Sequence, residues 1–285
     1  LKILIPRLTD ELERQLELFS LSYRRIAEGY EKELEPVILS INLYRELYEL
    51  GGVHDPYRDI KEKSILAAEK ALPLIEASMT SYSGYDHFKA ALSASIAGNL
   101  IDFNTAYHSP DLTSLAQVYE TIMREGFEPD DSADLWQTIQ SKKGKVVFLA
   151  DNAGETHFDI PLLRILKESG WRMTYVVKGQ PMINDATRED IKGTQIEDMA
   201  EIADNGGWAH GVPSMYVSKE FLDLVKNCDL VLSKGQANVE TFPEIQREIG
   251  VETFYIIRAK CPHIAQAVGA NVGDNVVLRR PAIRR

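Results

Sequence analysis

Cysteine is scarce. Cys228 and Cys261 are the two in 285 residues, too few for a disulfide framework, so a reducing cytoplasm is the expected setting. No run of about 18 apolar residues occurs, and no membrane span is expected. The opening stretch Leu1 to Pro6 is too short an apolar run for a signal peptide. Positive charge is also in short supply, with 32 Lys and Arg against 43 Asp and Glu and a net charge of −11. A phosphate backbone needs a basic surface, so nucleic acid is not an expected partner. The chain contains no G-x-G-x-x-G, no Walker lysine loop and no G-x-S-x-G elbow, which removes support for NAD-binding, P-loop NTPase and serine-hydrolase readings. Its six histidines lack the pairing of a zinc site.

The rest of the composition is globular. Hydrophobic residues make up 44% and charged residues 26%, and the length can bury a sizeable core. The negative charge is uneven. Residues 1–140 hold 13 basic and 24 acidic residues, whereas residues 141–285 hold 19 of each. Two units are expected, a helical one over 1–140 and an α/β one over 141–285.

Periodicity supports that division. Leu12, Leu16, Phe19, Tyr23 and Ile26 have helical spacing, and helices are expected over 8–30, 37–50, 57–76, 88–101, 112–125 and 132–141. From Lys145 onward, short apolar runs at 146–150, 173–177, 230–232, 254–257 and 275–278 alternate with helical patterns, including a mostly helical stretch over 188–204. This alternation predicts a Rossmann-like, doubly wound, mostly parallel sheet with helices on both faces.

Ligands of open parallel sheets bind beyond the carboxyl ends of the strands. Four such ends carry Asp151-Asn152-Ala153-Gly154-Glu155, Lys178 through Asn184-Asp185, Lys234-Gly235-Gln236-Ala237-Asn238, and Arg258 with Lys260. Carboxylate and amide oxygens suit a hard divalent cation, and Lys and Arg suit a phosphate. Each piece alone has a plain alternative. Asp151 and Asp185 are suitable helix caps, Lys234 is common loop chemistry, and Arg258 with Lys260 reads equally as a solvated pair. The joint placement is what points to phosphoryl chemistry, and it also admits a nucleotide-binding module.

These stretches, together with Ala97-Gly98-Asn99-Leu100-Ile101-Asp102-Phe103, the Pro262 that follows Cys261, and Asp55-Pro56-Tyr57, resemble the damage-control phosphatase family, whose domain is also called acidic-residue-methyltransferase-like. The likeness is to its prokaryotic and archaeal subfamily and runs from about residue 50 to the C-terminus. Two departures stand out: the spacing here is Arg-x-Lys, and no Cys-x-x-Cys opens the chain. The resemblance implies a metal-dependent phosphohydrolase of small phosphorylated metabolites such as sugar phosphates. It implies that Asp151, Asn152 and Asp185 hold the metal, with Mn²⁺ or Ni²⁺ first and Co²⁺ or Mg²⁺ next.

Lys234, Arg258, Lys260 and Asn238 are then expected to bind substrate or phosphate. Asp151 and Glu155 are the expected catalytic carboxylates, with Glu155 orienting the water and Asp151 as a covalent nucleophile in the alternative chemistry. Asn99 and Asp102 complete the expected catalytic set, approaching from the helical part to contact the metal, the water or the sugar. Backbone N–H groups of Ala153 to Glu155 are expected to help hold an anion. Two rival readings are an S-adenosylmethionine-dependent carboxyl methyltransferase and a non-catalytic phosphometabolite-binding protein.

Overall fold

The computed structural model describes residues 1–98 and 112–283. Asn99 and Asp102 lie outside them. Seven helices come first: α1 (Ile5–Leu8), α2 (Leu12–Glu31), α3 (Pro36–Gly51), α4 (Arg58–Met79), α5 (Gly84–Gly98), α6 (Leu112–Glu125) and α7 (Ser132–Ser141). The alternating part follows with β1 (Lys145–Leu149), α8 (Thr156–Glu168), β2 (Arg172–Val177), α9 (Arg188–Ile191), β3 (Glu201–Asp204) and α10 (Lys219–Lys226). It ends with β4 (Leu230–Lys234), α11 (Gln236–Ile249), β5 (Thr253–Arg258), α12 (Pro262–Val268) and β6 (Asn275–Arg280). No helix among the described residues is long and apolar enough to cross a membrane.

The six strands form one sheet in the order β3-β2-β1-β4-β5-β6. All neighbours are parallel except β5 and β6. Side chains alternate across it, as a pleated strand requires. Val146 and Phe148 face a core shared with α4 to α8, while Val147 and Leu149 face one shared with α10 to α12. The first core crosses residue 140, because Ala90, Leu92, Leu135 and Ile139 pack in the same cluster as β1 and β2. A third cluster ties α1, α2 and α3 to Tyr57 and Ile60.

The small-residue helix α5 is buried without a break from Ala90 to Gly98. Lacking bulk, it admits a close neighbour: a Cβ on Gly98 would stand 3.0 Å from the Glu155 side chain. Beyond the far edge of the sheet, the segment before α7 hydrogen-bonds β6, with Asp131 N–H donating to Val277 O and Val277 N–H donating to Pro129 O.

The helix expected over 188–204 is corrected. The capping box of Thr187 and Asp190 starts α9, but the chain turns at Gly193, where φ is +76. Glu201–Asp204 then pairs with Thr174–Val177 as an edge strand. Ile196, Met199 and Ile202, three residues apart and packed in or against one core, imitate a helical stripe. Arg188 settles the strand by bonding Ile202 O and the Asp204 carboxylate.

His210 lies beside Ser40 and under the Tyr44 ring. Burial, reinforced by Lys178, pushes its pKa down to about 4 from 6.5. The neutral ring therefore contributes stability that is whole above pH 6.5. This stability is lost as pH falls towards 4, because the unfolded chain takes up the proton first. Between pH 7.5 and pH 5 the wild type is expected to lose about 1–2 kcal/mol more than His210→Gln, measured by chemical denaturation of both proteins.

Candidate active site

The strand order reverses between β1 and β4, the position where open α/β sheets place a ligand crevice. Asp151 leaves the end of β1 on one side. Gly235 follows β4 on the other, with φ +83. A Cβ at Gly235 would land on the Asp151 carboxylate, so glycine here meets both a left-handed backbone and a steric limit.

The second loop is hydrogen-bonded onto the first. Ala153 N–H donates to Asn184 O at 2.9 Å, and Ala186 N–H donates to Asp151 O at 2.8 Å. Asn152 and Asp185 form an antiparallel bridge. These bonds bring Asp151, Asn152 and Asp185 to one place, although 33 residues separate Asn152 from Asp185 in the chain. Ala153 thereby spends its N–H within the protein and is not the anion donor expected of it.

Asn152 donates its amide to Asp151 Oδ2 and Glu155 Oε2, each at 3.0 Å. Its amide oxygen is therefore the atom with ligand chemistry. Asp185 is buried, and its Oδ2 has no hydrogen bond among the described residues. The Lys178 ammonium stands 3.6 Å from it, beyond hydrogen-bond reach. Burial, then the charges of Glu155 and Asp185, hold the Asp151 pKa well above the carboxylate range against Lys178 and Lys260. Burial likewise raises Asp185 against Lys178 and Lys61.

Oxygen donors in mutual repulsion, with one buried oxygen unspent, fit a hard divalent cation. Among the described residues no three His, Cys, Asp or Glu side chains form a metal cluster, so a cation held here would need the Asn152 amide oxygen beside the two aspartates.

Lys234 occupies a different environment from the phosphate contact expected of it. It is fully buried, and its ammonium donates to Glu155 Oε1 at 2.6 Å, Asp159 Oδ1 at 2.9 Å and Ser95 O at 3.0 Å. Three N–H groups meet three acceptors. Burial alone would lower its pKa, and Asp159 and Glu155 more than reverse this. Asp159 also accepts from Ser95 Oγ at 2.6 Å and Tyr175 Oη at 2.7 Å. Glu155 is thus held between Lys234 and Asn152.

Asn238 ties the strand ends together by donating to Lys234 O and Ala150 O. The Lys178 ammonium lies 3.1 Å from Gly211 O and 3.4 Å from Asn238 Oδ1. Lys260 is exposed, and its backbone N–H donates to Gln236 Oε1. Arg258 sits at the end of β5 and donates to Asn275 Oδ1 at 2.9 Å.

Sequence reasoning passed over Asp159, Tyr175 and Lys61. Asp159 stands four residues after Glu155 within an apolar helix, a spacing that places both carboxylates on one face. Lys61 is buried and paired at 2.8 Å with both Asp55 and Asp190, so this side chain of α4 links the Asp-Pro-Tyr stretch to α9.

The damage-control phosphatase ARMT1-like domain matches residues 5–276. The chain belongs to this family. A damage-control phosphatase of Archaeoglobus fulgidus is 31% identical over 256 residues, covering 90% of this chain and 86% of that protein. A damage-control phosphatase of Pyrococcus horikoshii is 28% identical over 277 residues, covering 97% and 92%. The crystal structure of a DUF89 family protein from Pyrococcus horikoshii superposes with a TM-score of 0.85 at 28% identity, covering 97% of this chain and 93% of that one.

Removing one carboxylate from the cluster around Lys234 leaves a buried charge short of a partner. Asp159→Ala should cost about 3–5 kcal/mol in urea denaturation. Arg58→Ala, which removes an exposed pair with Glu62, should leave the midpoint where it was.

Proposed function

We propose that this protein is a metal-dependent phosphatase that releases phosphate from small phosphorylated metabolites, sugar phosphates among them. The observation that carries the reading is the meeting of Asp151, Asn152 and Asp185 at the strand-order reversal, with Asp185 Oδ2 buried and unbonded among the described residues. Membership of a family named for phosphatases supports the same reaction class. These three residues would hold one divalent ion, Mn²⁺ or Ni²⁺ in first place. When bound, the ion would supply Lewis-acid polarisation of the phosphoryl group.

The other residues supply placement and charge. Lys178 and Lys260 both act electrostatically on Asp151, so the same two cations would balance phosphate oxygens at that carboxylate. Arg258 lies on the same sheet edge and would extend this positive rim. Lys234 would act through Glu155, holding that carboxylate turned towards Asn152. Glu155 in turn fixes which end of the Asn152 amide donates. A cytoplasmic setting belongs to the same reading, and both cysteines are free thiols.

Metal-stripped protein should regain phosphate release when Mn²⁺, Ni²⁺, Co²⁺ or Mg²⁺ is returned, assayed with an aryl phosphate and a panel of sugar phosphates. Asp151→Ala should lower that release at least about a hundredfold while leaving the protein folded. Undiminished metal-stimulated release from Asp151→Ala would remove Asp151 from the site. No release from wild-type protein that still binds Mn²⁺ would favour a binding protein without turnover.

A further inference from the structure

Asp185 is presented by a turn with an unusual backbone. Asp185 N–H donates to Met182 O at 3.1 Å, closing a four-residue turn over Met182-Ile183-Asn184-Asp185. Its first central residue, Ile183, has φ +51. Turns with a positive φ at that position favour Gly, Asn or Asp, and a β-branched residue there is strained. Such a conformation persists where surrounding contacts over-determine it, and it concentrates at functional sites.

Those contacts come from far away in the chain. Ile183 N–H donates to the Tyr48 hydroxyl at 3.0 Å. Tyr48 lies on α3 and is almost fully buried, at 2% exposure. Just before the turn, Pro181 O accepts from Trp208 Nε1 at 2.9 Å. The Tyr48 and Trp208 rings lie 6.1 Å apart between centroids. Ile183 and Trp208 both pack against the N-terminal core of α1 to α3. One residue beyond Ile183, Asn184 O receives the Ala153 N–H that joins the two loops.

We infer that Tyr48 is a positioning residue for the metal loop: its hydroxyl holds Ile183 in the left-handed conformation that sets Asp185 beside Asp151 and Asn152. The inference rests on the metal reading above. Tyr48 touches none of the three proposed ligands. Its effect runs through one backbone N–H and two intervening residues. Removing the hydroxyl leaves that part-buried N–H without its partner and lets Ile183 relax to negative φ, which redirects the chain immediately before Asp185.

Tyr48→Phe keeps the ring and deletes the bond. Two readouts separate this inference from the metal assignment. The first is amide hydrogen exchange of the 182–187 segment in metal-free protein, which should be at least about tenfold faster in the variant. The second is Mn²⁺ affinity by titration calorimetry, which should be about tenfold weaker. Unchanged exchange would overturn the inference, and so would faster exchange with unchanged Mn²⁺ affinity. Faster exchange in the variant, from a wild type that binds no Mn²⁺, would support the clamp and overturn the metal assignment instead.

A rescue pair isolates the strain. Ile183→Gly and Ile183→Ala remove nearly the same side chain, and only glycine accepts φ +51 freely. Placed in Tyr48→Phe, the glycine variant should bind Mn²⁺ more tightly than the alanine variant. Equal affinities would show that Ile183 strain has no part in presenting Asp185.

Discussion

A buried ammonium ion cannot be left unpaired, and that requirement organises the centre of this molecule. Lys234 enters from β4, takes a carbonyl oxygen from α5 and two carboxylates from the N-terminal end of α8, and through Asp159 reaches Tyr175 of β2. Four elements are therefore fixed relative to one another by a single charge. Desolvating such a cluster is costly, and packing of apolar side chains would fill the same space at least as stably. What the cluster provides is direction: Glu155 is held in one orientation, and Asn152 is turned with it.

The candidate site is built by joining two loops across the end of the sheet. Strand order brings the loops near each other. Backbone hydrogen bonds at Ala153 and Ala186 bring them into register, and Gly235 leaves the volume that the Asp151 carboxylate needs. The helical N-terminal part takes part in this assembly. Lys61 reaches Asp190 from α4, and Tyr48 reaches Ile183 from α3.

Much of this was legible in the residues, for identifiable reasons. Strands buried on both faces read as short apolar runs, so β1, β2, β4 and β5 stood out, and the strand-end rule put Asp151 and Asp185 on neighbouring loops without any coordinates; it also gave Lys234 a phosphate contact where the structure has buried ion pairs. Family motifs named the same positions. The edge strand β3 was illegible because it is four part-exposed residues whose Ile202 continues a three-residue spacing from Ile196 and Met199. The partners of Lys234 were illegible for a different cause. Nothing in a sequence states that Asp159 and Ser95, 64 residues apart, point at one ammonium. Tyr48 reads as one more apolar position on a helix, and only the φ of Ile183 shows what its hydroxyl does.

The two ends of the sheet are finished differently. At β6 the segment before α7 occupies the outer rim, so the main chain there already has partners. At β3 the rim is four residues long, and Arg188 lies over it with bonds to Ile202 O and Asp204. Short, charged or covered rims resist the addition of a further strand. The same contacts that shape the fold therefore guard this protein against joining edge to edge with its own copies at high concentration.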